Sequence, residues 1–224
     1  AATVASAAAA ERQLAALNHS RVTPAAIELV AGPHWSDDPA LGPAGADDWK
    51  LVIGLEGSEA EVDWMANQLD SAVRAVGELA DAPRCIAGEG CRALWERLRE
   101  FSHADSAPLL VQAVLRSSRV CDFVELIRQC DPSASIQAHA ASGVVIARFQ
   151  RFDSAAVSRT LVGKLQPAAS AAGGQMTVLA ANGLGELTRQ AVWGGVQDAS
   201  RWMDRVRQQF DPQGILNPGR IFTI

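Results

Sequence analysis

Three side chains combine useful chemistry with a position at the end of a predicted strand. Arg116 and Arg148 carry guanidinium groups, whose planar fork of donors suits the carboxylate of a small organic acid. His139 has an ordinary pKa near neutrality and could act as a general base toward a hydroxyl proton. Each also has a plainer interpretation, as a solvated arginine paired with a carboxylate or as a histidine that satisfies local hydrogen bonds. The sequence alone leaves these alternatives open.

The C-terminal stretch packs two different turns into a few residues. Asp211-Pro212-Gln213-Gly214 is typical of a type I turn, and Asn217-Pro218-Gly219-Arg220 is typical of a type II turn. Between them Ile215 and Leu216 form an apolar pair that can anchor the segment to a hydrophobic surface. Turn chemistry alone predicts no more than a helix stop followed by an ordered C-terminus.

The order Phe-Asp-Pro-x-Gly-Ile-Leu-Asn-Pro-Gly-Arg at residues 210–220 resembles the C-terminal signature of the FAD-linked oxidases of the vanillyl-alcohol oxidase type. Within that family the stretches at residues 24–30, 94–99 and 172–175 are most similar to the FAD-binding (E-type) subunit of bacterial glycolate oxidase. The resemblance implies that the tail returns toward the flavin, so that Asn217, Pro218, Gly219 and Arg220 contact the cofactor. It also implies that the amide of Asn217 can hydrogen-bond to the ring system.

The resemblance covers the chain only as the second half of such a protein. It implies a cap or substrate domain over FAD, which a missing N-terminal flavin-binding domain holds, so this chain alone should be inactive. The implied reaction oxidises a 2-hydroxy acid such as glycolate, and a second flavoprotein subunit and an iron–sulfur subunit are the implied electron-transfer partners. Many relatives carry a Gly-His-x-x-Asp-Gly-Asn-x-His metal segment, whereas Gly173–Leu179 has no histidine here. We therefore expect no metal.

Composition narrows the remaining classes of function. The net charge of −5 over 224 residues, without a basic face, argues against nucleic-acid binding. No apolar run approaches the ~20 residues needed to span a membrane. The four cysteines form no Cys-x-x-Cys pair. We expect a protein of the reducing cytoplasm, which a complex can also hold at the inner membrane as a peripheral protein. The Ala-rich start does not look like a signal peptide, and the chain could be a piece of a longer protein.

Apolar periodicity predicts an α+β fold. Strands are predicted at 25–31, 49–56, 109–116, 135–139, 144–149 and 175–180, with a short edge strand near 84–87. Helices are predicted at 3–18, 58–76, 89–101, 118–130, after Asp153 and from about Asp198. The succession in 108–180 is typical of a ferredoxin-like (split βαβ) unit, with a cruder copy at 50–87. We expect a mostly antiparallel sheet with helices on one face.

The predicted elements suggest three segments. Residues 1–24 form an N-terminal helix and linker from the missing flavin domain, 25–197 the cap domain, and 198–224 the C-terminal helix and flavin-facing tail. Trp35, in the loop over 32–48, is either a lid contact or part of a surface excursion. A ferredoxin-like small-molecule binding or regulatory module without redox activity is the alternative function. An RNA-binding sheet is set aside, because the chain has no tyrosine and its inner strands carry only Phe149.

Overall fold

The computed structural model describes residues 1–42, 48–103, 107–195 and 197–216, without the side chains of 197–200. Within them lies one antiparallel sheet with the strand order β1-β3-β2-β5-β6-β4-β7. Its strands are β1 Ala2–Val4, β2 Ala26–Ala31, β3 Trp49–Gly54, β4 Leu109–Val114, β5 Ser135–His139, β6 Val144–Phe149 and β7 Gln175–Ala181. The predicted α+β class with a mostly antiparallel sheet is confirmed.

Helices are present at each position predicted from the sequence, together with a short α-helix, Arg189–Trp193, that the sequence did not predict. They are α1 Ala7–Asn18, α2 Glu59–Val76, α3 Gly88–Glu100, α4 Val120–Cys130, α5 Ser154–Ala156, α6 Gln166–Ala171, α7 Arg189–Trp193 and α8 Gln197–Phe210, and a π-helix, Val157–Leu165, joins α5 to α6. Ser58 and Glu61 form the predicted capping box at the start of α2. The side chain of Asp153 accepts a hydrogen bond from the backbone N–H of Ala156 and so begins α5.

Six of the seven described strands form two halves with the same connectivity, and β7 extends the sheet beside β4. The first runs β1-α1-β2-β3-α2 and the second β4-α4-β5-β6 followed by the helical stretch from α5 to α6. In each half the third strand lies between the first and the second, and the halves join where β2 pairs with β5. The strand and helix succession predicted for 108–180 is present, while its ferredoxin-like description stays a prediction.

The first half begins earlier than the sequence suggested. Residues predicted to open a helix at 3 form β1 instead, which pairs with Trp49–Leu51, and α1 starts after Ser6, whose side chain caps it. The edge strand predicted near 84–87 is wrong, because that stretch forms no strand and an isolated bridge joins Val4 to Leu79. Since β1 and α1 share the sheet and core of the described residues, the division of the chain at 24 and 197 stays a prediction.

One part of the layer prediction requires correction, because helices lie on both faces of the sheet. The main core contains α1, α4 and the π-helix against odd-numbered residues of β4 and β6 such as Val111 and Ala147. Leu94 and Leu98 of α3 instead pack against Val30 and Val52, on the opposite face. Strand alternation leaves apolar side chains on that face too, and they need a cover.

The apolar residues that pack with α3 on the opposite face are here called the second cluster, and Trp35 belongs to it. It is buried, its indole Nε1 donates to the backbone oxygen of Ile136 at 2.9 Å, and its ring lies 5.1 Å from that of Phe101. Both interpretations offered for it from sequence, a lid contact and a surface excursion, are therefore wrong.

The start of β7 lies unusually close to the end of β4. A Cβ added to Gly174 would lie 1.7 Å from the backbone oxygen of Val114. A glycine is required there because any side chain would collide with backbone rather than with a movable group.

Candidate functional site

The sheet face opposite the main core, here called the second face, is only partly covered by α3. On the uncovered part, the strands β6, β4 and β7 carry side chains that alternate along each strand with the buried residues of the main core. Val114 and Leu179 are large apolar side chains exposed on this surface. Together with the half-buried Gln112, Val144 and Thr177 they form a flat, mixed surface, here called the open face.

A buried carboxylate lies beside the open face, at the junction of the two halves. Oε1 of Glu28, on β2, lies 2.7 Å from Nδ1 of His139, on β5. Its Oε2 accepts a hydrogen bond of 3.1 Å from Nε2 of Gln137. The side chain of Glu28 is only 6% exposed, whereas that of His139 is 39% exposed. The buried carboxylate of Glu28 therefore orients the partly exposed imidazole of His139.

The electrostatics of this pair favour a basic imidazole. The hydrogen bond that Nδ1 of His139 donates to Glu28 raises the pKa of His139, and partial burial of the ring opposes this shift. Because an ionised carboxylate can only accept hydrogen bonds, Nδ1 carries the proton in the neutral ring. Nε2 is then an acceptor, and it has no hydrogen-bond partner among the residues that the structure describes. This arrangement suits proton transfer at Nε2.

Sequence reasoning singled out His139 but missed Glu28. The signal was nevertheless available, because Glu28 is a single acidic residue inside the apolar run Ala-Ile-Glu-Leu-Val-Ala of β2. A carboxylate in the middle of a central strand is costly unless it has a partner. Its pairing with a residue 111 positions away depends on the β2–β5 contact, which periodicity does not reveal.

Arg116 lies at the same end of the sheet as His139. In the strand register His139 faces Val144, and Val144 faces Val114, two residues before Arg116. Arg116 is exposed, and its guanidinium covers Gly173, where an added Cβ would meet Nε at 2.6 Å. The structure thus brings two of the predicted site residues to one end of the sheet.

Arg148 lies toward the other end. It lies four positions after Val144 on β6, which corresponds to ~13 Å along the strand. Its guanidinium is 3.4 Å from Nδ1 of His34, donates to the backbone oxygen of His103 at 3.3 Å and lies over the ring of Phe101. Arg148 is therefore part of the second cluster and is not grouped with His139.

His34 lies between two guanidinium groups, those of Arg97 and Arg148. Burial, followed by the charge of Arg97 and then of Arg148, lowers its pKa to about 4. A neutral imidazole has a single acceptor nitrogen, so it can accept a hydrogen bond from one of these guanidinium groups. Its 3.4 Å contact with Arg97 joins α3 to the 3-10 turn Pro33–Trp35. The contacts among His34, Arg97 and Arg148 therefore help to fix α3 on the second face of the sheet.

The last helix presents an apolar surface to solvent. Trp202, Met203, Val206 and Phe210 are all exposed on α8 and recur at helical spacing, and are here called the α8 apolar face. An ion pair of 3.9 Å between Arg189 and Asp204 connects α8 with α7. An amphipathic helix of this kind normally buries its apolar stripe, so the α8 apolar face requires a partner surface.

The first predicted turn of the tail is present. The backbone N–H of Gly214 donates to the oxygen of Asp211 at 3.1 Å, and the buried carboxylate of Asp211 accepts from the backbone N–H groups of Ile215 and Leu216. Ile215 and Leu216 are exposed. The predicted cofactor contacts Asn217, Pro218, Gly219 and Arg220 lie outside the described residues.

The described residues contain no group of three or more His, Cys, Asp or Glu side chains that could hold a metal ion. No helix among them has the length and hydropathy needed to cross a membrane.

Comparison with known proteins gives one family. The model of the family described as FAD linked oxidases, C-terminal domain, matches residues 1–221. No curated protein matches the sequence significantly.

Proposed function

The chain belongs to the FAD-linked oxidase family as its C-terminal domain, and on this premise we propose that it is the cap or substrate domain of an enzyme that oxidises a 2-hydroxy acid. A flavin-dependent oxidoreductase domain follows from the family itself. The family match over residues 1–221 is the observation that carries the proposal. Glycolate, oxidised to the 2-oxo acid, is the substrate that we propose first.

The residues present fit one side of a flavin rather than the whole cofactor. The open face, with apolar Val114 and Leu179 beside polar Gln112 and Thr177, suits contact with a planar ring system of mixed polarity. The sequence has no glycine-rich phosphate-binding motif. FAD, which takes up two electrons from the substrate when bound, would be held mainly by the N-terminal flavin-binding domain that this family implies.

The α8 apolar face supplies the surface for that flavin-binding domain. Its exposed aromatic and aliphatic side chains have the composition found at the centre of stable interfaces. Ile215 and Leu216 continue this apolar surface beyond the helix. Docking there would carry the tail to the cofactor, so we keep Asn217, Pro218, Gly219 and Arg220 as proposed FAD contacts, with the amide of Asn217 hydrogen-bonded to the ring.

Among the arginines, Arg116 is the better candidate for the substrate carboxylate. It is exposed at the end of the sheet that also holds His139, whereas Arg148 contacts His34 and the backbone of His103. A guanidinium offers two parallel N–H donors to a carboxylate. Arg148 stays an untested candidate with a visible structural role.

The finer assignment, to the E-type subunit of glycolate oxidase, rests on resemblance. The stretches at 24–30, 94–99 and 172–175 and the histidine-free segment Gly173–Leu179 support it. On this assignment a second flavoprotein subunit and an iron–sulfur subunit pass the electrons onward. The complex would then lie in the cytoplasm or at the inner face of the membrane without spanning it by this domain.

The test uses the gene product in which this chain is joined to its flavin-binding domain. We expect the purified protein to show a flavin absorbance spectrum that glycolate bleaches under anaerobic conditions. Acetate, which lacks the 2-hydroxyl group, is the matched control and should leave the spectrum unchanged. A protein without flavin, or one whose flavin is reduced by none of glycolate, D-lactate, L-lactate and 2-hydroxyglutarate, would overturn the proposal.

A further inference from the structure

The Glu28–His139 pair has the geometry of a proton acceptor with a built-in orienting group. We propose that His139 takes the hydroxyl proton of the 2-hydroxy acid and that Glu28 is the positioning residue that orients it; this rests on the proposed function. The two side chains come from different halves of the sheet, β2 and β5, and meet at 2.7 Å.

The group formed by Glu28, Gln137 and His139 has a higher free-energy cost of burial than a purely structural role would require. Both oxygens of the buried carboxylate are used, one by His139 and one by Gln137. Gln137 is itself buried, and its Oε1 has no hydrogen-bond partner among the described residues. An unsatisfied buried oxygen destabilises the folded state, because it loses its hydrogen bonds to water without replacement. Gln137 thus holds the carboxylate in one orientation while its own oxygen stays unpaired, which is expected where orientation serves a reaction.

The reactive side of the ring is the side that solvent reaches. Glu28 lies behind Nδ1 and is almost fully buried, while the ring itself is 39% exposed. The charged group that acts on the His139 ring is Glu28, on β2. On the other side of His139, its partner in the strand pairing is the apolar Val144 of β6, which belongs to the open face. Arg116 lies at the same end of the sheet. Arg116 follows β4, and β6 separates β4 from the strand of His139.

The chemical step balances with flavin as the oxidant. The hydroxyl O–H bond breaks and its proton passes to Nε2 of His139. With FAD bound by the flavin-binding domain, the hydrogen on the adjacent carbon would leave with its electron pair to that cofactor, and the carbon–oxygen bond would become the double bond of the 2-oxo acid. Glu28 accepts the hydrogen bond of Nδ1–H throughout and stabilises the imidazolium that forms, as a carboxylate in this position does in other histidine-based sites. The imidazolium then returns its proton to solvent.

Variants of the full-length flavoprotein test the roles separately. His139→Asn keeps an N–H group that can donate to Glu28 but removes Nε2, and we expect kcat for glycolate to fall by about 10²–10⁴-fold at unchanged flavin content. Glu28→Gln removes the charge that raises the pKa of His139. The acid limb of kcat/KM against pH should therefore move to lower pH, and kcat should fall. His103→Asn is the matched control, because His103 also lies beside a glutamate, Glu100, but on the surface.

An NMR titration of the imidazole protons adds a readout that is independent of turnover. We expect a raised pKa for His139 in the wild type and a lower one in Glu28→Gln. If His139→Asn is as active as His103→Asn, or if the acid limb stays where it was in both site variants, the assignment of His139 is wrong. The same conclusion follows if Glu28→Gln leaves the imidazole pKa of His139 unchanged. If wild-type flavin is reduced by no 2-hydroxy acid, the proposed function itself fails, and this inference with it.

Discussion

The α8 apolar face makes a prediction that separates domain docking from internal stability. Trp202 is 66% exposed in this domain, so its removal should cost this domain little by itself. Trp64, on α2, is 51% exposed and does not belong to the α8 apolar face. Because tryptophan and serine have similar helix propensities, Trp202→Ser and Trp64→Ser form a matched pair.

The magnitude follows from the exposed area. A tryptophan buries at most about 250 Å², so 66% exposure leaves ~165 Å² for a partner surface. At about 25 cal/mol per Å² this corresponds to about 4 kcal/mol if docking covers all of it, or about 2 kcal/mol if docking covers half. The guanidinium of Arg205 lies 5.1 Å from the Trp202 ring, a contact of about 0.5–1 kcal/mol within α8, which Arg205→Gln measures separately.

The assay is amide hydrogen exchange of α8 in the full-length flavoprotein. An isolated helix of 14 residues is marginal in water, so slow exchange there reports docking. A loss of about 2 kcal/mol accelerates exchange about 30-fold in Trp202→Ser. Trp64→Ser should leave α8 exchange at the wild-type rate. Equal exchange of α8 in the two variants would show that this helix does not dock through its apolar face, and the docking argument would fail.

Three further outcomes follow from single contacts. The pKa of His34 is about 4 in the folded protein against an ordinary 6.5, so between these pH values the unfolded chain binds a proton that the folded protein does not. The contribution of His34 to the free energy of unfolding is therefore fully present above pH 6.5 and, discounted for solvent screening, falls by about 1–2 kcal/mol as the pH drops toward 4. His34→Asn should remove this pH dependence in urea titrations at several pH values. Gly174→Ala should destabilise the fold by about 2 kcal/mol or more in the same titration. Gly90→Ala, in α3, should instead stabilise the fold by about 0.4–1 kcal/mol, because an added Cβ there would meet the Ile86 side chain at an ordinary contact distance of 3.6 Å. Similar values for both variants would contradict the close approach of β7 to β4. Burial raises the pKa of Cys121 to about 12, so a thiol reagent should label exposed Cys85 in the native protein and Cys121 only on unfolding, as peptide mass mapping would show.

Local pattern was sufficient for the elements that carry their own signal. The strands β4 and β6 follow from β-branched apolar runs between turn residues, and α2 follows from its capping box and its glycine stop at Gly77. For the same reason the antiparallel α+β class could be predicted correctly, since consecutive strands joined by a short turn, as at Gly143 between β5 and β6, pair with each other.

Where pairing between distant segments decides the outcome, the sequence pattern was not sufficient. The short strand β1 lies in an Ala-rich stretch with helical propensity and exists because Trp49–Leu51 offer it an edge. The stripe of α3 was identified correctly as inward-facing, but a stripe does not state which face of a sheet it covers. Trp35 could not be placed from sequence because the strand that accepts its N–H bond lies about a hundred residues away.

The location of the Glu28–His139 pair links these two observations. Each residue sits in a strand that the pattern predicts, yet the pair exists only because β2 and β5 join the two halves of the sheet in one register. A shift of that register by one residue would move Glu28 out of line with His139, and the same shift within β2 would turn the carboxylate toward the helix-covered core. The alternation of β5 opposes such a shift, because it places Ile136 and Ala138 in the main core and a shift by one residue would turn Gln137 into that core instead. The hydrophobic pattern that builds the sheet therefore also fixes the geometry at which the proposed base is held.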